Sequence, residues 1–299
     1  MKIAIILNGV SRKKNKFYKE IHPALARHFD VSIWETQCSG DAEILAARAV
    51  SEHFDVVVAA GGDGTLNQVI NGILKSLKKE LPGVGVIPLG TGNDFARMCS
   101  VKLDADQIVQ LLKADKPRPT DIGMIVCGDE FGQPTTRYFI NACSIGMGPE
   151  VVKRLLKSNR AWGPQITYLT SIVSTFFTHR PQEVHCKTSA WEWKGRARVL
   201  AIANGQSFGN ALYIAPDAEI DDGILNTFIA GDLSLLRFLV HLVGIKGKSK
   251  INDPKIRYSK TRQADLSSMA PCLLEAEGEM VGYLPAAITL MAGKIKFFR

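Results

Sequence analysis

Short apolar runs alternating with amphipathic segments over the first 120 residues are what most restrict the fold of this chain. Ile3–Leu7, Val31–Trp34, Val56–Ala60 and Val84–Pro88 are short runs without a charge. Phe17–Phe29, Asp41–His53, Leu66–Leu77 and Asp104–Ala114 carry apolar residues at helical spacing. Strands that are apolar on both faces and separated by helices belong in a parallel sheet covered on each side, because every crossover helix must lie on one face. The pattern predicts an α/β domain over residues 1–120, with a doubly wound, mostly parallel sheet.

From about Asp121 the character changes. Ile122–Val126, Tyr138–Ala142, Val184–Thr188, Arg196–Ala203 and Ile224–Ala230 read as strands between turn-rich stretches, and Ile288–Met291 and Lys294–Phe298 close the chain. Helical spacing remains at Glu150–Ser158, Gln165–Phe177 and Leu233–Val243. This predicts a β-rich, sandwich-like second domain over residues 121–299. Lys116-Pro117-Arg118-Pro119 reads as the linker, since two prolines oppose regular hydrogen bonding.

A chain of 299 residues with 46% hydrophobic and 22% charged residues can bury two such cores. Its six cysteines form no CxxC pair, which points to a reduced, cytoplasmic chain without a disulfide frame or zinc site. The opening MKIAIILNG runs straight into Arg12-Lys13-Lys14, unlike a signal peptide. Ile166–Phe177 and Leu233–Ile245 are the longest apolar candidates, and both fall short of the roughly 20 residues that span a bilayer. The net charge of +8 favours an anionic partner. No basic stripe with interleaved aromatics points to nucleic acid.

The stretch AAGGDGTLNQ, Ala59–Gln68, follows the third apolar run and opens a helix. Parallel α/β folds bind phosphates at such a turn, where glycines bare the amides and the helix adds its positive end. Gly61, Gly62, Asp63, Gly64 and Thr65 are therefore candidate phosphate ligands. A tight turn capped by Asp63 or Thr65 is the other reading. No lysine follows as in a GxxxxGK[ST] loop, and Asn67 stands where a dinucleotide fingerprint has its third glycine. After the fourth run comes IPLGTGNDFAR, Ile87–Arg97, a second glycine-rich turn that groups Gly90, Thr91, Asn93 and Asp94. Adjacent strands would set the two turns side by side, as a nucleotide cradle.

GGDGTLN at Gly61–Asn67 and PLGTGNDFAR at Pro88–Arg97 resemble the diacylglycerol kinase catalytic-domain family, in particular its bacterial lipid kinases. ILNGVS at Ile6–Ser11, TQCSGDA at Thr36–Ala42, APDAEIDDGIL at Ala215–Leu225 and EGE at Glu277–Glu279 extend the likeness along the chain. The resemblance implies ATP bound in a cleft between the two domains and γ-phosphate transfer to a lipid hydroxyl. Gly62, Asp63, Gly64, Thr65, Asn67 and Thr91 would hold phosphates, with Asn8 and Thr36 on the nucleotide side. Asp63 would lie near a catalytic magnesium ion. Asp222, with the main-chain carbonyls of Glu219 and Ile224, would hold a structural Mg2+. Glu277 would act as general base, aided by Glu279.

The chain departs from the family at three points. Glu277 stands where the family has an aspartate, Gln68 replaces a glutamate, and the first loop keeps only Asn8 and Ser11 of an NPxSG pattern. An NAD kinase-like enzyme, or a lipid-binding regulatory protein with impaired catalysis, remains an alternative. Arg12, Lys13, Lys14, Lys16 and Lys19, with Phe17 and Tyr18 among them, could dock on an anionic membrane surface at the cytoplasmic face. A monomer and a homodimer are equally compatible with the pattern.

Overall fold

The computed structural model describes residues 1–76, 78–158 and 164–299. Leu77, the expected end of one helix, lies outside the described residues. The chain divides into two units, one of Met1–Asp121 and Gly293–Arg299, the other of Ile122–Ala292.

The first unit runs β1 (Lys2–Leu7), α1 (Lys14–Lys16), a π-helical turn (Phe17–Ile21), α2 (His22–Ala26), β2 (Asp30–Glu35), α3 (Asp41–Ser51), β3 (Val56–Gly61), α4 (Asp63–Lys75), β4 (Gly83–Pro88), α5 (Asp94–Met98) and α6 (Ala105–Lys113). Its strands lie in the order β2-β1-β3-β4 and pair in parallel, with Ile3 opposite both Val31 and Val56, and Ala60 opposite Ile87. Alternate residues serve opposite faces. Ile3, Ile5, Leu7, Val56, Val58 and Ala60 pack with Phe17, Ile21, Leu25, Ile108 and Leu112. Ala4, Ile6, Val57 and Ala59 are equally buried on the other side. There α3 and α4 meet so closely that a Cβ on Gly72 would fall 2.1 Å from the Glu43 carbonyl oxygen. The strand order reverses between β1 and β3, and the carboxyl edge at such a switch point is where open α/β sheets bind ligands.

The second unit contains β5 (Arg118–Gly128), which the chain enters midway, then β6 (Pro134–Phe139), β7 (Ala142–Gly146), α7 (Met147–Lys157), α8 (Pro164–Thr178), β8 (Gln182–Lys187), β9 (Glu192–Ala197), β10 (Val199–Ala203), β11 (Leu225–Ala230), α9 (Leu235–Lys246), β12 (Ile256–Thr261), β13 (Gln263–Ser268), β14 (Leu273–Ala276) and most of β15 (Glu279–Phe297). One antiparallel run is β12-β11-β10-β7-β14 with Glu279–Tyr283 of β15. A second joins Ala286–Thr289 of β15 to β13, β8 and β9. Ile145, Leu200, Ile229 and Leu274 from the first run share a core with Val184, Cys186, Leu266 and Ile288 from the second. The two runs, joined through β15, enclose a shared apolar interior and make the expected sandwich-like domain.

The structure corrects three expectations. The second domain does not extend to residue 299, because Gly293–Arg299 rejoin the first unit. Phe297 pairs in parallel with Val84, and the Phe298 N–H donates to the Val84 carbonyl at 2.9 Å. Pro119 sits inside β5 and not in an irregular linker, at the second residue of that strand, where a missing N–H costs least. Arg196–Ala203 is broken at Arg198, which is buried with its guanidinium 3.9 Å from the Phe176 ring and 3.0 Å from Asp232.

Phe297 is fully buried and meets Phe95 edge-on at 4.9 Å. Phe297→Ala should therefore destabilise the protein by about 3–5 kcal/mol. Urea unfolding measures this, and an unchanged midpoint would show that the closing strand is not part of the first unit's core.

Candidate functional site

In the first unit the loops after β1, β3 and β4 meet at the carboxyl edge of the sheet. The Leu89 and Gly90 N–H groups both donate to the Gly61 carbonyl, at 2.9 and 3.1 Å. A Cβ on Gly90 would fall 2.5 Å from Gly62 Cα, so the two turns touch backbone to backbone. Ser11 Oγ donates to the Leu89 carbonyl at 3.0 Å, and Lys13 Nζ to the Gly90 carbonyl at 3.2 Å. Asn8 Nδ2 reaches Thr65 Oγ1 at 3.3 Å, and Thr36 Oγ1 accepts the Gly9 N–H at 3.2 Å. The adjacency of the two glycine-rich turns expected from the sequence is present.

Asp63 ties them together. Its Oδ2 accepts the Asp94 N–H at 3.0 Å and its Oδ1 accepts the Phe95 N–H at 3.1 Å. The carboxylate thus caps α5 while sitting in the first turn of α4, where two positive helix ends favour its charge. Burial pushes the Asp63 carboxyl above its usual range, and the nearby Asp94 charge adds to this. The amide bonds from Phe95 and Asp94 pull the other way. Each Asp63 oxygen holds one backbone amide and keeps a further lone pair on the side expected to face a metal ion or its water shell.

The helix begins at Asp63, three residues earlier than the apolar spacing predicts, with Gly62 as its N-cap. Two of the expected phosphate ligands lie deeper than Gly62 and Gly64. Asn67 falls in the second turn, only 2% exposed, where its side-chain carbonyl accepts Asn71 Nδ2 at 3.2 Å. It lies beneath the loop, not on its surface. Thr65 is nearly buried as well, and its hydroxyl fills the space beside Gly61, where a Cβ would lie 2.3 Å from Oγ1. A Cβ on Gly64, by contrast, would have nothing within 4 Å. The first intrahelical bond runs from the Leu66 N–H to the Gly62 carbonyl, so the first-turn amides precede the helical ladder. Thr91 is exposed at the tip of the second turn. Asn93 holds that turn closed, accepting the Gly90 N–H at 3.0 Å and donating to its carbonyl at 2.9 Å. Arg97 pairs with Asp94 at 2.7 Å.

In the second unit Glu277 and Gly278 form the two-residue loop between β14 and β15, both with positive φ, +55° and +83°. Ala276 and Glu279 pair across it, which makes it a hairpin turn of the mirror-image type. Glu277 Oε1 accepts the Ile140 and Asn141 N–H groups at 2.9 and 2.5 Å. Glu279 forms an ion pair with Arg137 at 3.1 Å. Sequence reasoning missed Glu275, which is 2% exposed under the same turn. It accepts the Gly278 N–H at 3.0 Å and the Ser144 hydroxyl. Burial pushes its carboxyl from 4.5 up to about 7 against both hydrogen bonds. In the sequence it looks like an ordinary strand charge.

Glu219, Asp222 and Ile224 share the loop between β10 and β11. Asp222 Oδ1 accepts the Ile224 N–H at 3.0 Å. Among the described residues no three His, Cys, Asp or Glu side chains gather as a metal site. A cation at this loop would therefore rely on main-chain carbonyls beside Asp222, an all-oxygen donor set that fits magnesium.

Residues 2–125 match the family model described as diacylglycerol kinase catalytic domain, and residues 142–299 match the YegS C-terminal NAD kinase beta sandwich-like domain. A diacylglycerol kinase of Staphylococcus aureus is 31% identical over 292 residues, covering 94% of this chain and 87% of its own. A diacylglycerol kinase of Bacillus subtilis is 29% identical over 290 residues, covering 95% and 92%. The crystal structure of a diacylglycerol kinase from Bacillus anthracis superposes with a TM-score of 0.74 at 20% identity, over 99% of this chain and 96% of that one. Yeast NADH kinase shares the fold at a TM-score of 0.51 and 10% identity, over 99% and 82%. The two structural likenesses speak to fold alone.

Gly90→Ala should overpack the junction and cost about 1–3 kcal/mol, read as a lower melting midpoint. Glu275 yields a pH test. Its folded-state pKa lies above the unfolded value, so its contribution to stability is full below 4.5 and is lost as pH rises through about 7. Glu275→Gln removes that loss. Relative to wild type, the variant should gain about 2 kcal/mol between pH 5 and pH 8 in denaturant titrations. A difference that stays constant with pH would mean Glu275 is already ionised in the fold.

Proposed function

The chain belongs to the diacylglycerol kinase family and is a phosphotransferase with an alcohol group as acceptor, and from that premise we propose that it transfers the γ-phosphate of ATP to the hydroxyl of a membrane lipid. The observation that carries the nucleotide half of this reading is the junction of the loops after β1, β3 and β4. Gly62 and Gly90 are pressed backbone to backbone, the space beside Gly64 is open, and the amides of the first turn of α4 precede its helical ladder. Phosphate oxygens would lie on those amides, with the positive end of a 13-residue helix behind them. Lys13, held at the Gly90 carbonyl, adds a cation at the rim, and Thr91 adds an exposed hydroxyl.

Phosphoryl transfer asks a protein chiefly for positioning and charge neutralisation. Glu277 is the proposed general base. It takes the proton of the lipid hydroxyl as that oxygen bonds to the γ-phosphorus and ADP leaves. Two amides on Oε1 fix its direction, as a base in a single pose requires. Glu279, paired with Arg137, is assigned to holding the turn and not to proton transfer. Asp222, with the carbonyls of Glu219 and Ile224, would hold magnesium, which supplies fixed positive charge when bound. Asp63 joins the nucleotide turns. A lipid acceptor places the work at a bilayer surface, and no described helix is long and apolar enough to cross one. The cytoplasmic face is the proposed side.

Incubation with labelled ATP and a panel of lipids, separated by chromatography, tests the activity and identifies the acceptor. Glu277→Gln should lower turnover on that acceptor by about 10²–10⁴-fold. ATP binding by calorimetry should be unchanged. Near wild-type turnover would remove Glu277 from the mechanism. A wild-type chain that labels no lipid would favour the regulatory alternative.

A further inference from the structure

Helix α9, Leu235–Lys246, is apolar on two opposite sides, with Arg237 and His241 between them. Phe238, Leu242 and Ile245 on one side pack into a cluster with Val151, Ile172 and Leu212. Leu236, Val240 and Val243, on the opposite side at spacings of four and three, are between 61% and 75% exposed. A helix of that kind belongs against a second apolar phase. Helix α8 runs beside it, joined through Phe176 and Phe238 with ring centroids 4.8 Å apart. It carries no charged residue and has its own exposed stripe of Ile166, Leu169 and Phe177. Together these residues exceed the scattered exposure usual for a folded surface.

The segment that carries the α9 stripe is basic. Between Leu233 and Lys250 there are four basic residues and no acidic one. Arg237 and Lys250 lie near Asp253 and Asp217, while Lys246 and Lys248 stand exposed just past the end of the apolar stripe. A symmetric contact between two copies would bring these lysine-rich rims toward each other, at an electrostatic cost. An anionic bilayer satisfies both features, since apolar side chains enter the acyl boundary and lysines meet the headgroups. With 12 and 15 residues, α9 and α8 are too short to cross it.

The amino-terminal basic cluster, expected to dock, is built differently. Phe17 is fully buried, Tyr18 and Lys14 are both bonded to Glu35, and Lys16 pairs with Glu20. That cluster has no free aromatic anchor. We propose that the exposed face of α8 and α9 is the surface by which this protein seats itself on an anionic membrane. The inference rests on the lipid-kinase reading for its purpose, and on the exposed stripes and their basic rim for its location.

The test is pelleting with sucrose-loaded vesicles, in equal parts phosphatidylglycerol and phosphatidylcholine or of phosphatidylcholine alone, without nucleotide. Wild type should prefer the anionic vesicles. Val240→Asp with Val243→Asp should lower partitioning at least about tenfold, since charge enters the stripe. Lys246→Gln with Lys248→Gln should weaken anionic binding alone, by about fivefold or more. Melting curves accompany each variant, and Val240→Ser with Val243→Ser supplies a milder change if the aspartates unfold. Folded stripe variants that bind like wild type would overturn the proposal. So would a wild-type dimer that Val240→Asp dissociates while vesicle binding is unchanged. Vesicle binding that survives in a chain phosphorylating no lipid supports the surface and removes only the kinase reading.

Discussion

The carboxylate of Asp63 joins two turns that the parallel sheet, by itself, only makes neighbours. Strand pairing sets Gly61 opposite Pro88, and everything past those residues is free to diverge. Two amide bonds from Asp94 and Phe95 prevent that. Burial opposes the ionised carboxyl, as does Asp94, so the strut holds only because two helix ends and two N–H groups favour the charge. Arg97 eases the conflict by pairing with Asp94. The glycines follow from this closeness. Gly90 is bare because Gly62 occupies the place of its side chain, and Gly61 because Thr65 lies over it.

The same closeness separates what the sequence disclosed from what it did not. Alternating apolar runs revealed the parallel sheet, and the paired glycine-rich motifs revealed that two of its turns are neighbours. The division of labour within the motif was hidden. Asp63, Thr65, Asn67 and Asn93 all carry groups able to touch a phosphate, and a linear string has no sign for which of them face inward. The helix start decides it. A first turn at Asp63 leaves Gly62 and Gly64 partly exposed and rotates Asn67 toward Asn71. The return of Gly293–Arg299 to the first unit was equally illegible, since seven residues with alternating lysines resemble the end of any antiparallel strand.

In the second unit the polar groups are ordered from the core outward. Glu275 is buried and lifted toward neutral pKa, and its Oε2 fixes the Gly278 N–H of the hairpin loop. Glu277, two residues on, holds the amides of Ile140 and Asn141. Asn204 Nδ2 donates to the Ile140 carbonyl at 2.9 Å, so the same peptide is gripped from both of its polar ends. A loop of two residues thus acquires the rigidity of a sheet interior. Alternation predicted the strands here, whereas a charge at every second position from Glu275 to Glu279 conceals that only the first is buried.

Glutamate at position 277, where the family resemblance led to the expectation of aspartate, can be weighed on the same geometry. The first loop position of this hairpin type requires positive φ, which aspartate, asparagine and glycine adopt more readily than glutamate does. Glutamate therefore carries a backbone penalty of about 1–2 kcal/mol at φ +55°. Its longer arm offsets that penalty by reaching two main-chain donors at 2.9 and 2.5 Å on a neighbouring segment. An aspartate on the same backbone would end one methylene earlier, short of those amides. The carboxylate sits where the Ile140–Asn141 amides place it, so the fixed element of this turn is the amide pair, and the length of the glutamate side chain matches the distance to it.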